Sequence, residues 1–387
     1  MRYIGIIILL ALCLTLLFLT NCQLDTVRPE SAGPTVYPQK WATGTGTVSD
    51  PWTNSCIESA YAACPTGGTI YLKAGYYQLA DYLSIAKSIN IIGEGRDKTI
   101  IITADAPGLH INNTDYCTIK NLTVDGAAQT TGSYVYCIGV GFSDYSILEN
   151  IEVKNAYTIG IDANSNNHSL FQNIYTHDNG SHGIHPGTNT SGRNMYNTYR
   201  NIYTWDNAGS GFDDVGNQVY VNEDLYNVYD NMNCWDNGKA GMSIFQQRNG
   251  VISNSSASGN GSLGFNLWGL ENFNIHDCSA TLNMCEGICL RESDNVNLTN
   301  VIVKNNANDS EWRGGIDINA SNGTRFTSCQ SYDDRNTPLQ KYGLKTEGNV
   351  DYIELVNCKL SPNLSGAIYN GAYPLAVIIE EIKLASL

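Results

Sequence analysis

Half of the six histidines in this chain of 387 residues fall within one short stretch, "HDNGSHGIH", as His177, His182 and His185. Imidazole changes charge near neutral pH, so a cluster of rings suggests proton transfer or metal ligation. Carboxylates occur nearby in segments of matching form. "GIDAN" holds Asp162, "GIHPG" holds His185 and "GFDDV" holds Asp213 and Asp214. Histidines with carboxylates make a general acid–base set, provided the backbone brings them together.

The backbone is periodic. Asn or a close substitute precedes a small or β-branched residue at 121, 150, 173, 201, 231, 254, 277, 300, 328 and 357. A Gly, followed by an apolar residue in all but the last case, recurs at 160, 183, 211, 241, 264, 287, 315, 343 and 366. The commonest interval in both series is 23 residues. Flanks such as "SLFQNIYTH" and "NTYRNIYTW" are β-rich, and no helical pattern separates the repeats. Short strands at this period predict an all-β parallel β-solenoid of about ten coils.

Strand alternation then assigns directions. Ile161, Ile184 and Phe212 point inward, so Asp162, His185 and Asp213 point outward as a trio on successive coils, about 4.8 Å apart. The same outward column continues through Ser243, Asn266, Cys289, Asp317 and Lys345. The arc from Gly to the next Asn is usually 13 residues, but 18 and 20 after Gly183 and Gly211, which places two enlarged loops beside the trio. His182 sits at a strand entry, Arg193 on the first enlarged loop and Arg248 two coils onward. Arg291 lies about four coils from His185, roughly 19 Å away. His177, Trp205 and Trp235 form another column, whose rings suit sugar faces or packing at a coil corner.

The repeat resembles right-handed parallel β-helices of the pectate-lyase type over about residues 40 to 372. The opening "GGTIYLKAGYYQL" looks like their first coil, behind a capping helix near residues 52 to 63. The Asn series matches their stacked asparagine ladder, implying a buried column. The run His182-Gly183-Ile184-His185-Pro186-Gly187, followed by "DNAGSGFDD", resembles the active-site region of mannuronan C5-epimerases, with His185 in place of an Asp and Gly187 in place of a His.

That resemblance implies proton abstraction from C5 of a uronate, by an epimerase or a lyase. His182 and His185 would be base and acid, with Asp162, Asp213 and Asp214 around them. Arg193 or Arg248 would neutralise the substrate carboxylate, and Arg291, Lys345, Trp205, Trp235 and His177 would bind neighbouring sugars. Three alternatives accompany it. Asp162 and Asp213, about 9.6 Å apart, approach the roughly 6.5–9.5 Å separation of inverting glycosidases. His185, Asp213, Asp214 and His182 could ligate a divalent cation such as calcium. A non-catalytic glycan-binding or adhesion solenoid would need no proton transfer at all.

The formal net charge of −15 disfavours nucleic acid as a partner. The first 22 residues, "MRYIGIIILLALCLTLLFLTNC", read as a secretory signal with a lipobox-like Cys22. Residues 23–40 read as a tether and 41–387 as the β-helix domain. The expected location is therefore extracytoplasmic, with membrane contact only through that N-terminal anchor. Ten cysteines follow Cys22. Cys56 and Cys64 on one helix would be roughly 12 Å apart, too far to bridge. Cys329 and Cys358 are expected on neighbouring coils.

Overall fold

The computed structural model describes residues 33–381, apart from 54, 80, 133, 188–193, 217–224, 308–312 and 373–376. These form a right-handed parallel β-helix. One sheet has twelve strands, from Leu83–Ile85 through Ile184–Gly187 to Gly366–Ala372, and every neighbour is the equivalent strand of the next coil. The solenoid thus has twelve coils, more than the ten expected. The extra coils are N-terminal, where Leu83–Ile85 and Leu109–Asn112 lack the Asn marker on which the sequence count relied. A twenty-stranded sheet forms the remaining walls, and its longer strands, such as Leu170–His177 and Thr198–Trp205, each bend once.

Those bends lie at the Asn series. Asn121, Asn150, Asn173, Asn201 and Asn231 all have φ between 53° and 60°, a left-handed conformation that Asn tolerates better than most residues. Their amides bond along the stack, with Asn201 Nδ2 donating to Asn173 Oδ1 at 2.8 Å and Asn231 Nδ2 to Asn201 Oδ1 at 2.8 Å. The column is stacked as expected, but it is not buried: these residues are half-exposed, and Asn254 and Asn300 are exposed. The deeply buried ladder lies one turn later. Asn179, Asn207, Asn237, Asn260, Asn283 and Asn306 are at most 2% exposed. Each of the first five donates from Nδ2 to Oδ1 of the next at 2.7–3.1 Å. An interior turn leaves backbone groups cut off from water, and an amide can donate and accept at once, so it satisfies both neighbours.

Ile161, Ile184, Phe212 and Met242 line the interior with no exposure, and Phe171, Tyr199 and Tyr229 stack inside at 4.9 and 5.5 Å. Helix α1 (Cys56–Ala63) caps the first coil through buried Cys56, Ile57 and Ala60. The fold begins inside the expected tether, since Thr35–Val36 pairs with Thr69–Ile70. The signal segment, Cys22 and Arg193 lie outside the described residues. Among the described residues no helix is long and apolar enough to cross a membrane.

Candidate functional site

The twelve-stranded sheet brings the outward trio together. Asp162 pairs in register with His185, and Ile184 with Phe212, which sets Asp213 beside His185 on the next coil. His185 Nδ1 lies 3.3 Å from Asp162 Oδ1, and its Nε2 lies 4.0 Å from Asp213 Oδ2. His182 reaches the same carboxylate, with Nδ1 3.6 Å from Asp213 Oδ2, and the two imidazole centroids are 5.4 Å apart. Asp213 therefore stands between both histidines. The trio is less open than a simple outward column, because neighbouring side chains roof it. Asp162 is only 6% exposed, accepting from Tyr134 Oη at 2.8 Å and Asn164 Nδ2 at 2.7 Å.

Two glycines give the rings room. A Cβ at Gly209 would lie 3.1 Å from His182 Nδ1, and one at Gly187 would lie 3.4 Å from His185 Cε1 and 2.7 Å from Asn164 Oδ1. Larger residues there would press on the imidazoles or their support.

The two histidines are driven apart electrostatically. For His182 burial dominates and lowers the pKa below the ordinary histidine value, with nearby positive charge from His185 and Lys239 adding to it and Asp213 opposing. For His185 burial also pulls down, but the bond and charge of Asp162, with the charges of Asp213 and Asp214, outweigh it and raise the pKa. Near neutral pH His185 is thus biased toward imidazolium and His182 toward neutral imidazole. Ser210 N–H donates to His182 Nδ1 at 3.2 Å. Base action at Nε2 then needs the other tautomer, with Nδ1–H turned toward Asp213.

Asp214 departs from expectation. It follows outward Asp213 by one residue, so alternation sends it into the solenoid, where it is fully buried. Its Oδ2 accepts from Tyr229 Oη at 2.7 Å, and its Oδ1 from Gly216 N at 3.0 Å and Gln247 Nε2 at 3.3 Å. Burial pushes its pKa up to about 6. It supports the wall behind the site and cannot touch a ligand in the groove. The proposed cation set loses this member, and among the described residues no group of three or more His, Cys, Asp or Glu converges as metal ligands. The hydrolase geometry also changes, since the His185 ring occupies the gap between Asp162 and Asp213 where an inverting enzyme would hold its water.

Other expected binding residues sit elsewhere. His177, Trp205 and Trp235 belong to the twenty-stranded sheet and stack on one another at 4.2 and 5.0 Å. His177 is further tied to Glu152 at 3.2 Å and Asp178 at 2.6 Å. Stacking covers the ring faces that sugars would use between them. Arg248 is ion-paired with Glu271. Arg291 and Lys345 remain on the outward side of the groove sheet, far down the stack.

The sequence reading missed the groove's N-terminal continuation. His110 Nδ1 lies 2.6 Å from Tyr82 Oη and 2.8 Å from Tyr136 Oη. His110, Tyr134, Tyr136, Asp162 and Asn164 line a cleft of about 340 Å³. His110 shares the outward column with Asp162 through Gly139. The frame "GLHIN" was its available signal. Tyr134 precedes its strand in an irregular segment that carries no periodic mark.

Two overlapping stretches, residues 107–306 and 217–375, match the family described as "Right handed beta helix region". No match was found among curated protein sequences. Several solved structures share the fold. The A-module of Azotobacter vinelandii mannuronan C-5 epimerase AlgE6 is 16% identical, with TM-score 0.70, covering 91% of this chain and 100% of that one. The catalytic unit of a GH87 alpha-1,3-glucanase from Streptomyces thermodiastaticus is 11% identical, with TM-score 0.51 and coverage of 92% and 70%. PfbA, a surface adhesin of Streptococcus pneumoniae, is 12% identical, with TM-score 0.60 and coverage of 86% and 91%. At these identities the likeness concerns the fold, and chemistry must be argued from the site.

Proposed function

The chain belongs to the right-handed β-helix family, and from that premise we propose that it is an exported enzyme acting on a uronate-containing polysaccharide by proton transfer at C5. The observation that carries this reading is the pair His182 and His185, whose pKa values are pushed in opposite directions around one shared carboxylate, Asp213. Divergent environments for neighbouring titratable groups assign base and acid roles.

In this reading His182 removes the C5 proton, and the electron pair passes into the substrate carboxylate. Asp213 steadies the ring as it becomes charged. His185 then returns a proton from Nε2. Delivery to the opposite face of C5 gives epimerisation, whereas delivery to O4 with cleavage of the C4–O4 bond gives elimination and an unsaturated end. Asp162 holds His185 in place and favours its charged form. Lys239, whose charge reaches His182, stands in a suitable region to offset the uronate charge; Arg193 is a second candidate for that task.

Polymannuronate and polygalacturonate are the test substrates. Elimination would raise ultraviolet absorbance, and epimerisation would change the uronate ratio by NMR without new chain ends. New reducing ends without unsaturation would instead indicate hydrolysis. Polymers with unchanged chain ends, absorbance and uronate ratio would leave glycan binding as the better reading.

A further inference from the structure

A second polar group gathers on the groove sheet about five coils from His185, roughly 24 Å along the axis. Asp317 is 6% exposed. Its Oδ2 lies 3.6 Å from Lys345 Nζ, which also meets Glu347 at 3.0 Å. Its Oδ1 is buried without a hydrogen-bond partner among the described residues. Nearby Glu286, 4% exposed, is held by Arg313 at 3.0 Å. That oxygen is sealed from solvent, so the carboxylate acts on a ligand only through the Lys345 ammonium that it holds. Burial pushes the Asp317 pKa up to about 6; Lys345 opposes this, while Glu286 and Glu347 reinforce it.

An independent feature lies beside it. Trp268 is 44% exposed, unlike the stacked Trp205 and Trp235. It is in register with Arg291, which is in register with Asn319 on the Asp317 strand. The Phe245 ring lies near-perpendicular to that of Trp268 at a centroid distance of 6.1 Å, so the two rings do not stack in parallel. Trp268 and Asp317 are two coils apart, roughly 10 Å along the axis.

We propose that Trp268, Arg291, Asp317 and Lys345 form a second glycan site, in which one sugar packs on Trp268 while Asp317 holds Lys345 toward the next. Arg291 and Lys345 supply donors to the neighbouring sugar oxygens. Acid–charge pairs beside an aromatic face suit hydroxyl-rich rings, whose apolar face stacks and whose rim hydrogen-bonds. The site rests on the glycan-binding part of the proposed function and is independent of its proton-transfer step.

The test uses the full chain and its His185→Ala variant, with oligogalacturonate, oligomannuronate and a neutral β-1,4-glucan oligomer as probes. Calorimetry reads affinity, and NMR reads the Trp268 indole N–H signal. At least one probe should bind and shift that signal in both proteins. Trp268→Ala and Asp317→Ala should each weaken binding about tenfold or more, as expected for anchor residues, while Trp268→Phe restores part of it. Asp317→Asn, which removes the charge that holds Lys345, replaces the Ala variant if the latter fails to fold. The inference is overturned if no probe shifts the Trp268 signal at about 1 mM, the weak end of specific affinity. It is equally overturned if the folded Trp268 and Asp317 variants bind like the wild type. Binding that persists without any turnover would sink the proton-transfer reading and leave this site standing.

Discussion

His185 is anchored at Nδ1 by Asp162 Oδ1, 3.3 Å away on the preceding coil, while its Nε2 stays 4.0 Å from Asp213. The anchored atom sets the charge, and the other is left for substrate. A base that must be neutral and an acid that must be charged give a bell-shaped profile. The His182 pKa is lowered, so the acid limb should fall below 6.5, and the His185 pKa is raised, so the alkaline limb should fall above it. Asp162→Asn removes the main raising influence and should draw in the alkaline limb alone. A pH–rate series on both proteins checks this, and an unmoved alkaline limb would assign the acid role elsewhere.

His185→Ala should lower turnover by roughly 10² or more. The ring is held between Asp162 and Asp213, so the variant should also lose some stability, and turnover is compared at a temperature where both proteins are folded. Asp213→Asn should reduce turnover as well, since it weakens the partner of both rings. The paired readout is steady-state rate and thermal unfolding. Full turnover in both folded variants would move the site away from this trio.

Asp214 should contribute to a fall in stability with rising pH, as should Asp317, whose pKa is also raised to about 6. The folded-state Asp214 pKa of about 6 exceeds the unfolded value near 3.8, so the native state holds the proton more tightly. Its stabilising contribution is therefore complete below the unfolded pKa and is lost as pH rises through about 6. Asp214→Asn should remove that part of the slope. Denaturant titrations between these two pH values, on both proteins, measure the difference.

The two asparagine columns should differ in cost. Asn237→Ala leaves the Thr204 carbonyl and the Asn207 amide without their partner, costing about 1–3 kcal/mol for each buried group left unsatisfied. Asn231→Ala breaks a half-exposed bond to Asn201 and puts Ala at φ 54°, costing about 1–2 kcal/mol. Chemical denaturation should rank Asn237→Ala as the more damaging change.

The described cysteines should be reduced thiols, and the most buried of them should resist alkylation in the native protein. All ten of the described residues are unbridged, including Cys329 and Cys358 on neighbouring coils. Burial pushes the Cys137, Cys234, Cys278 and Cys289 thiols up to about 12. Alkylation near pH 8 should spare these four until denaturant is added, after which all ten should react without reductant. Mass spectrometry of alkylated peptides reads both states.

Period and parity are local properties of a chain, and they carried far here. A repeat that returns every 23 residues, with alternation inside each strand, was enough to imply stacked coils and to set Asp162, His185 and Asp213 side by side. The same alternation applied one residue further sends Asp214 inward, which rules out the site role that its nearness to Asp213 suggests. The buried ladder keeps the same period, since Asn179, Asn207, Asn237, Asn260, Asn283 and Asn306 each fall six residues after a member of the first series; which of the two columns is buried is decided by packing. The roof from Tyr134 and the His110–Tyr136 contact depend on where irregular segments cross between coils. Ring orientation is likewise decided only by packing: Trp205 and Trp235 close on each other, while Trp268 stays open. The opposite pKa shifts of His182 and His185 arise from desolvation and from carboxylates 23 and 31 residues away in the chain, distances that only the coiled stack reduces to contact.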